Sequence, residues 1–238
     1  MFNILKRKKA DSNNIGKVYK LSDINLNNIL NIQQLKNRIE IAVIDDQVFS
    51  QAELLLNNNF KLKELGDIRS IKNIEGYPII VCDIHGVGAK FDPSGLGGAF
   101  LISEIRKNYP DKYIIAYSTH SNDLSLQRHT KYADYVMPVP STIEQWTEAL
   151  EQAIKNVGDP VLRWKRFRYY LLEHDIELSE VYKLEQAYIK YYVTPNLDTN
   201  SIDEVVSELS ISKEFKDVIK QFTVSVVVEV GKSLMSGV

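Results

Sequence analysis

Short β-branched runs alternate with amphipathic stretches through the middle of this chain. Ile39-Glu40-Ile41-Ala42-Val43-Ile44, Pro78-Ile79-Ile80-Val81-Cys82 and Tyr113-Ile114-Ile115-Ala116-Tyr117 are each bounded by turn residues. Runs of this kind read as buried parallel strands. Phe60 to Leu65 is apolar at Phe60, Leu62 and Leu65, a partial alternation that suits a strand nearer a sheet edge. Between the strands the period changes. Gln47 to Leu56 predicts a helix with Val48, Ala52, Leu55 and Leu56 as its apolar stripe, ended by Asn57-Asn58-Asn59. Asp67 to Gly76 leaves room for only a short helix. Ala99 to Asn108 predicts another, with Phe100, Leu101 and Ile105 inward. Ser141 with Glu144 matches a capping box opening a helix to Asn156, and Gly158-Asp159-Pro160 stops it.

Beyond residue 158 the alternation ceases and the pattern reads as helical. Leu162, Phe167, Tyr170 and Leu171 suggest one amphipathic helix; Val181, Leu184, Tyr188 and Tyr191 suggest a second, ending before Pro195. Ser201 with Glu204 would cap a third, and Ser212 would open a last helix toward Met235, although Thr223 to Val228 equally suits a strand. Residues 1–37 differ again, with a basic run at Lys6-Arg7-Lys8-Lys9 and Asn-rich sequence after it. Ser22 or Asp23 would cap a short helix there, with Ile24, Leu26, Ile29, Leu30 and Ile32 as a partial apolar face. The organisation expected is an N-terminal extension over 1–37, an α/β domain over 38–157, and a helical module over 158–238.

Composition narrows the partners. With 44% apolar and 25% charged residues the chain is ordinary globular material. A formal charge of −2 argues against broad binding to nucleic acid. The single cysteine, Cys82, excludes an intramolecular disulfide and reads as a small buried hydrophobe. No stretch offers the roughly 18 apolar residues of a spanning helix. Met1-Phe2-Asn3-Ile4-Leu5 does not open a signal peptide, so the expectation is a soluble cytoplasmic protein.

The strand ends carry the candidate chemistry. The first strand runs into Asp45-Asp46, the next long one into Asp83, and the one after into Ser118-Thr119. In an open α/β sheet, ligands bind beyond the carboxyl ends of the strands, so the fold would gather Asp45, Asp46, Asp83 and Ser118 at one edge. Three carboxylates that close repel one another unless a hard divalent cation sits among them, and oxygen ligands favour Mg²⁺. The glycine-rich stretch from Gly86 to Gly98 lacks the Gly-Lys-Ser/Thr of a phosphate-binding loop and reads as a flexible cover over that edge. The four histidines have no zinc-ligand spacing, and no Gly-x-Ser-x-Gly elbow exists.

This ordering resembles the receiver domain of two-component response regulators over roughly residues 38 to 157. The matching residues are Asp45 and Asp46 after the first strand, Asp83 ending the third, Ser118 ending the fourth, and Tyr135 in a fifth at Ala133-Asp134-Tyr135-Val136-Met137-Pro138. The resemblance implies a doubly wound, five-stranded parallel sheet, which the helical C-terminal module read above would follow. It implies Asp83 as phosphoacceptor, Ser118 as a hydrogen-bond donor to the phosphoryl group, and Tyr135 as a switch. It also implies Mg²⁺ on Asp45, Asp46, Asp83 and the backbone carbonyl of His85, and a histidine kinase or other phosphodonor protein as partner. The family's Lys-Pro pair is replaced by Met137-Pro138, with Lys90 and His120 as candidate substitutes for the ammonium. The expectation is a non-enzymatic response regulator acting through protein–protein contact, with a homo-oligomer open. The competitors are a pseudo-receiver scaffold that is never phosphorylated and a nucleic-acid-binding regulator. The last would use Arg163-Trp164-Lys165-Arg166-Phe167-Arg168-Tyr169-Tyr170, which reads more plainly as core aromatics beside a solvated basic face.

Overall fold

A computed structural model of the chain describes residues 17–25, 31–92, 96–118, 131–138, 140–194 and 200–224. The apolar runs form β1 (Glu40–Ile44), β3 (Ile79–Asp83) and β4 (Tyr113–Tyr117), flanked by β2 (Lys61–Glu64) and β5 (Tyr135–Met137). All pair in parallel, in the order β2-β1-β3-β4-β5. This is the doubly wound, receiver- or flavodoxin-like order, whose direction of winding reverses between β1 and β3. The central strands are buried on both faces, which is why their sequences are continuously apolar. β2 lies at an edge and exposes most of its residues, as its partial alternation requires.

Strand alternation divides the core into two layers. Ile41, Val43, Ile79, Val81 and Ile115 face one side, against α2 (Ala52–Asn57) and α4 (Ile143–Gly158). Ala42, Ile44, Ile80, Cys82 and Ala116 face the other, under α3 (Gly98–Asn108). α1 (Ile32–Lys36) rests on the end of α4, where any side chain at Gly158 would meet Leu35.

Three local expectations shift. The helix expected from Gln47 begins only at Ala52; Ala52 and Leu55 face the core, whereas Val48 is 84% exposed and Leu56 half exposed. The Gln47 N–H is taken by the Asp45 carboxylate at 2.8 Å, and such a turn competes with helix initiation. The chain then places Phe49 in the core, its N–H on Glu64 Oε2 at 3.1 Å. The short helix expected over 67–76 contracts to a single 3₁₀ turn at Ile71–Ile74, capped by Ser70. The capping box of α4 is Thr142 with Gln145 rather than Ser141 with Glu144, one residue later at the same spacing.

The C-terminal part is helical: α5 (Pro160–Glu173), α6 (Leu178–Val193), α7 (Asn200–Glu208) and α8 (Lys213–Val224). Asp159 ends α4 and caps α5, accepting from the N–H groups of Val161 at 2.7 Å and Leu162 at 3.1 Å, with Pro160 at the first helical position. The two parts are therefore joined without a linker. Trp164, Phe167, Tyr188 and Phe222 stack at the module's centre. α7 begins at Asn200, so Ser201 lies within it rather than capping it. Thr223 and Val224 are helical, and the remainder of the expected strand or helix lies outside the described residues, as does the basic run at 6–9. In α5 the basic face is not simply solvated, because Arg163 is 1% exposed. The N-terminal stretch joins the module too. Ile24 lies in its core, Leu21–Asp23 forms a 3₁₀ turn, and Tyr19 exchanges two hydrogen bonds with the Gln186 side chain. Among the described residues, no helix is long and apolar enough to cross a membrane.

Candidate metal and phosphoryl site

Register explains why the acidic residues meet. Ile44 pairs with Cys82, Asp83 with Tyr117, and Tyr117 with Met137. One step beyond Ile44, Asp45 extends a transverse row of Asp45, Asp83, Tyr117 and Met137 along the carboxyl edge. By strand parity these side chains share the face of Val43, Val81 and Ile115. Each of Asp45, Asp46 and Asp83 contributes a carboxylate oxygen to a group lying within 4.8 Å of one another. Asp83 is buried and Asp46 exposed, so the cluster reaches from the interior to the surface.

The loops hold the cluster in shape. Asp83 accepts from the His85 N–H at 3.1 Å, and Asp45 from the Gln47 N–H at 2.8 Å. The Gln47 side-chain amide donates to Asp46 at 3.0 Å. Gly86, at φ +74°, passes so close to Asp46 that a Cβ there would fall 2.2 Å from its Oδ1. Gly98 opens α3 against the Asp83 carbonyl, where a Cβ would approach to 2.0 Å. The glycine-rich stretch is anchored in its described part, with Val87 buried and the Gly88 N–H on Asp67 at 2.7 Å. It forms a wall beside the site there rather than a loose cover.

Electrostatics make this edge unfavourable for bare carboxylates. Burial pushes the Asp83 carboxyl above its usual range, and the charge of Asp45 adds to the shift. The His85 N–H pulls against both. The donor set is all oxygen, crowded and anionic, which fits a hard divalent cation such as Mg²⁺. Burial also pushes the Cys82 thiol far up, with neighbouring Asp83 adding to it. Cys82 is the inert core residue its position suggested.

One residue of the site escaped the sequence reading. The Tyr117 hydroxyl donates to Asp45 Oδ2 across the row. Its ring packs on Phe49 at 5.6 Å and Trp146 at 5.5 Å between centroids. Burial, then the Asp45 hydrogen bond, raises its proton affinity well above that of a free phenol, so it remains a neutral donor. The available signal was parity, since Tyr117 lies two positions after Ile115 and directly opposite Asp83.

Of the other expected residues, Ser118 is buried immediately after Tyr117, whose carbonyl accepts the Ile84 N–H at 2.9 Å. Tyr135 pairs with Ile115 and is 41% exposed on the edge strand, two residues before Met137. Met137, where the resemblance places a lysine, is buried with Trp146 and Tyr117 in the apolar layer. Among the described residues, no lysine forms an ion pair with Asp45, Asp46 or Asp83. Lys90 is exposed on the glycine-rich loop, and His120 lies outside the described residues.

Neither a family model nor a curated protein matches the sequence. Solved structures do match, over about half the chain. A CheY-like response regulator receiver domain from Methanospirillum hungatei is 15% identical, covering 50% of this chain and 94% of its own, with a TM-score of 0.42. The Thermotoga maritima response regulator TrrA, in complex with Mg²⁺-BeF, is 19% identical, covering 48% and 98%, at 0.38. A pilus assembly-related protein from Burkholderia pseudomallei is 14% identical, covering 50% and 91%, at 0.40. At this identity the likeness is one of fold.

Proposed function

We propose that this chain is a response-regulator-like signalling protein whose Asp83 accepts a phosphoryl group. The observation that carries the reading is the convergence of Asp45, Asp46 and Asp83 within 4.8 Å at the carboxyl edge of a doubly wound sheet, with Ser118 next in the chain after the residue paired with Asp83. Asp45, Asp46, Asp83 and the His85 carbonyl would hold Mg²⁺, which when bound neutralises charge on the carboxylates and on the incoming phosphoryl oxygens.

The chemistry assigned to the chain's own residues is brief. An Asp83 carboxylate oxygen attacks phosphorus, the bond from phosphorus to the donor breaks, and the donor leaves with that electron pair and takes up a proton. The His85 N–H fixes the other Asp83 oxygen, and the Tyr117 hydroxyl keeps Asp45 oriented. Ser118 is assigned to the phosphoryl group and Tyr135 to reporting it along β5. The donor is a histidine kinase or another phosphodonor protein. The output is protein contact through the helical module, in a cytoplasmic setting and without catalysis of a further reaction.

A second reading, a scaffold that is never phosphorylated, is favoured by one pair of observations. Buried, uncharged Met137 stands where an ammonium would pair with the phosphoryl group, and Tyr117 already occupies an oxygen of Asp45. Intact-mass spectrometry after treatment with acetyl phosphate separates the two. One added phosphoryl group that requires Mg²⁺ and is lost in Asp83→Asn is the expected result. No adduct under any metal condition leaves the scaffold, and an adduct that persists in Asp83→Asn places the acceptor elsewhere.

A further inference from the structure

At the opposite edge of the sheet a cavity of about 630 Å³ opens between the α/β half and the helical module. Its walls come from Pro110, just before β4, from Lys131 to Asp134, just before β5, from α3, and from α5. This volume lies in the range of small-ligand sites. Cationic side chains dominate it: Arg106, Lys107, Lys131, Lys165 and Arg166 line the space against three carboxylates.

Of those carboxylates, Asp134 is already engaged. Asp134 takes Arg106 Nη2 at 2.6 Å and the Ile114 N–H at 2.8 Å, and lies 3.4 Å from Arg166 Nε. Glu173 lies beside Tyr169 and raises the proton affinity of its hydroxyl. Glu104 is the third. Arg106 is itself spent on structure, donating to the carbonyls of Tyr132, Pro110 and Lys112. Arg166 differs. Its Nη2 holds the carbonyls of Asp111 and Lys112 at 2.8 Å, but its Nη1 is buried with no hydrogen-bond partner. Its Nε is likewise without a hydrogen bond, and the guanidinium lies over the Tyr113 ring at 5.1 Å, so its positive charge stands at the cavity wall incompletely answered. Lys107, Lys131 and Lys165 form no ion pair with a described carboxylate, and Lys131 and Lys165 are exposed at the rim. Tyr132, Tyr169 and Tyr170 supply flat apolar faces beside these cations.

We propose that this interdomain cavity binds a small dianionic phosphate ester carrying a flat ring, the chemistry of a nucleoside monophosphate. The excess of two positive charges matches a phosphate monoester dianion, and the lysine ammonium groups supply charge-assisted donors to its oxygens. The tyrosine faces accept the ring. Since the cavity is walled by both halves, the ligand would also brace the joint between them.

Isothermal titration calorimetry and thermal melts of the full chain with adenosine 5′-monophosphate, inorganic phosphate and adenosine test this. The monophosphate should bind and raise the melting temperature, phosphate alone should bind more weakly, and adenosine should give no heat. A Lys131→Ala/Lys165→Ala variant, altered only at exposed rim positions, should keep its unliganded melting temperature and lose affinity by about tenfold, the equivalent of 1.4 kcal/mol. Arg166→Gln should lose more, and if that variant fails to fold the lysine pair still decides. No heat from millimolar monophosphate, undiminished affinity in the lysine variant, or adenosine binding as tightly as its phosphate would each overturn the proposal.

Discussion

The two edges of the sheet handle buried charge in opposite ways. At the carboxyl edge three carboxylates crowd within 4.8 Å, supported by N–H groups and one tyrosine hydroxyl but by no lysine or arginine ion pair among the described residues. At the amino edge the charges are cationic, and the buried ones among them are mostly held by carboxylates and carbonyls, whereas Lys107, Lys131 and Lys165 at the cavity form no ion pair with a described carboxylate. Arg163 bonds Asp111 and the Phe222 carbonyl, Lys112 donates to the carbonyls of Glu75 and Tyr77, and Arg106 and Arg166 hold Asp134 and four backbone carbonyls. Compensated charge is a way of joining two bodies, whereas uncompensated charge at a crevice waits for an ion. One small sheet thus carries an acidic site at one edge and, at the other, a charged seam with a basic cavity beside it.

If the amino edge is a seam, breaking it should cost the most. Arg163→Ala strands Asp111 and empties the space over the Phe222 ring, where the guanidinium sits 4.4 Å from the centroid. Removing one partner of a buried pair costs about 3–5 kcal/mol, and at roughly 2–4 °C per kcal/mol for a chain this size the melting temperature should fall by some ten degrees. Urea titration of the variant checks it, and a loss no larger than that of an exposed change such as Lys165→Ala would mean the seam carries little stability.

The carboxyl edge should respond with the opposite sign. Asp83→Asn removes a charge the fold disfavours, so the variant should be more stable than wild type at neutral pH by about 1 kcal/mol, the low end for a buried unsatisfied group. The pH dependence follows from the raised proton affinity of Asp83. Protonated Asp83 is tolerated, so the two proteins should agree below the ordinary carboxylate range. The advantage of the variant should then open as pH rises through the elevated value in the folded state. Millimolar Mg²⁺ should close the gap by stabilising wild type alone. Melts across pH with and without Mg²⁺ measure this, and a variant less stable than wild type at pH 7 without metal would show that the edge is not strained by charge.

The smallest effect sharpens the same edge. Tyr117→Phe removes one hydroxyl and leaves the ring packing against Phe49 and Trp146. A single hydrogen bond contributes about 0.5–1.5 kcal/mol net, so the metal-free melting temperature should drop by a few degrees. The shift produced by Mg²⁺ should grow, because an Asp45 oxygen is released. An unchanged response to Mg²⁺ would remove Tyr117 from any role in the site.

The carboxyl edge was largely legible and the amino edge was not. Asp45-Asp46 and Asp83 each follow an apolar run directly, so strand period and the rule about strand ends suffice to gather the three carboxylates. Tyr117 was missed because it looks like one more strand aromatic until register sets it opposite Asp83. The late start of α2 was missed for a similar reason, since an Asp45 turn overrides a stretch with good helical spacing. Arg106, Lys131 and Arg166 stand far apart in sequence on three different elements, and nothing local distinguishes them from surface cations.

By itself, then, the pattern of apolar runs determined the strands, their parallel burial, the acidic carboxyl edge and the helical character of the last third, because those depend on period and on what terminates each run. Only the tertiary structure decided that Arg163 and Arg166 face inward, that Ile24 belongs to the C-terminal core, and that a tyrosine hydroxyl rather than a lysine meets Asp45. Those outcomes are set by which surfaces of the two halves come together, and by whether a buried polar group finds its partner across that junction. Such partners are separated by tens to hundreds of residues, as with Tyr19 and Gln186, and no local window of sequence contains both.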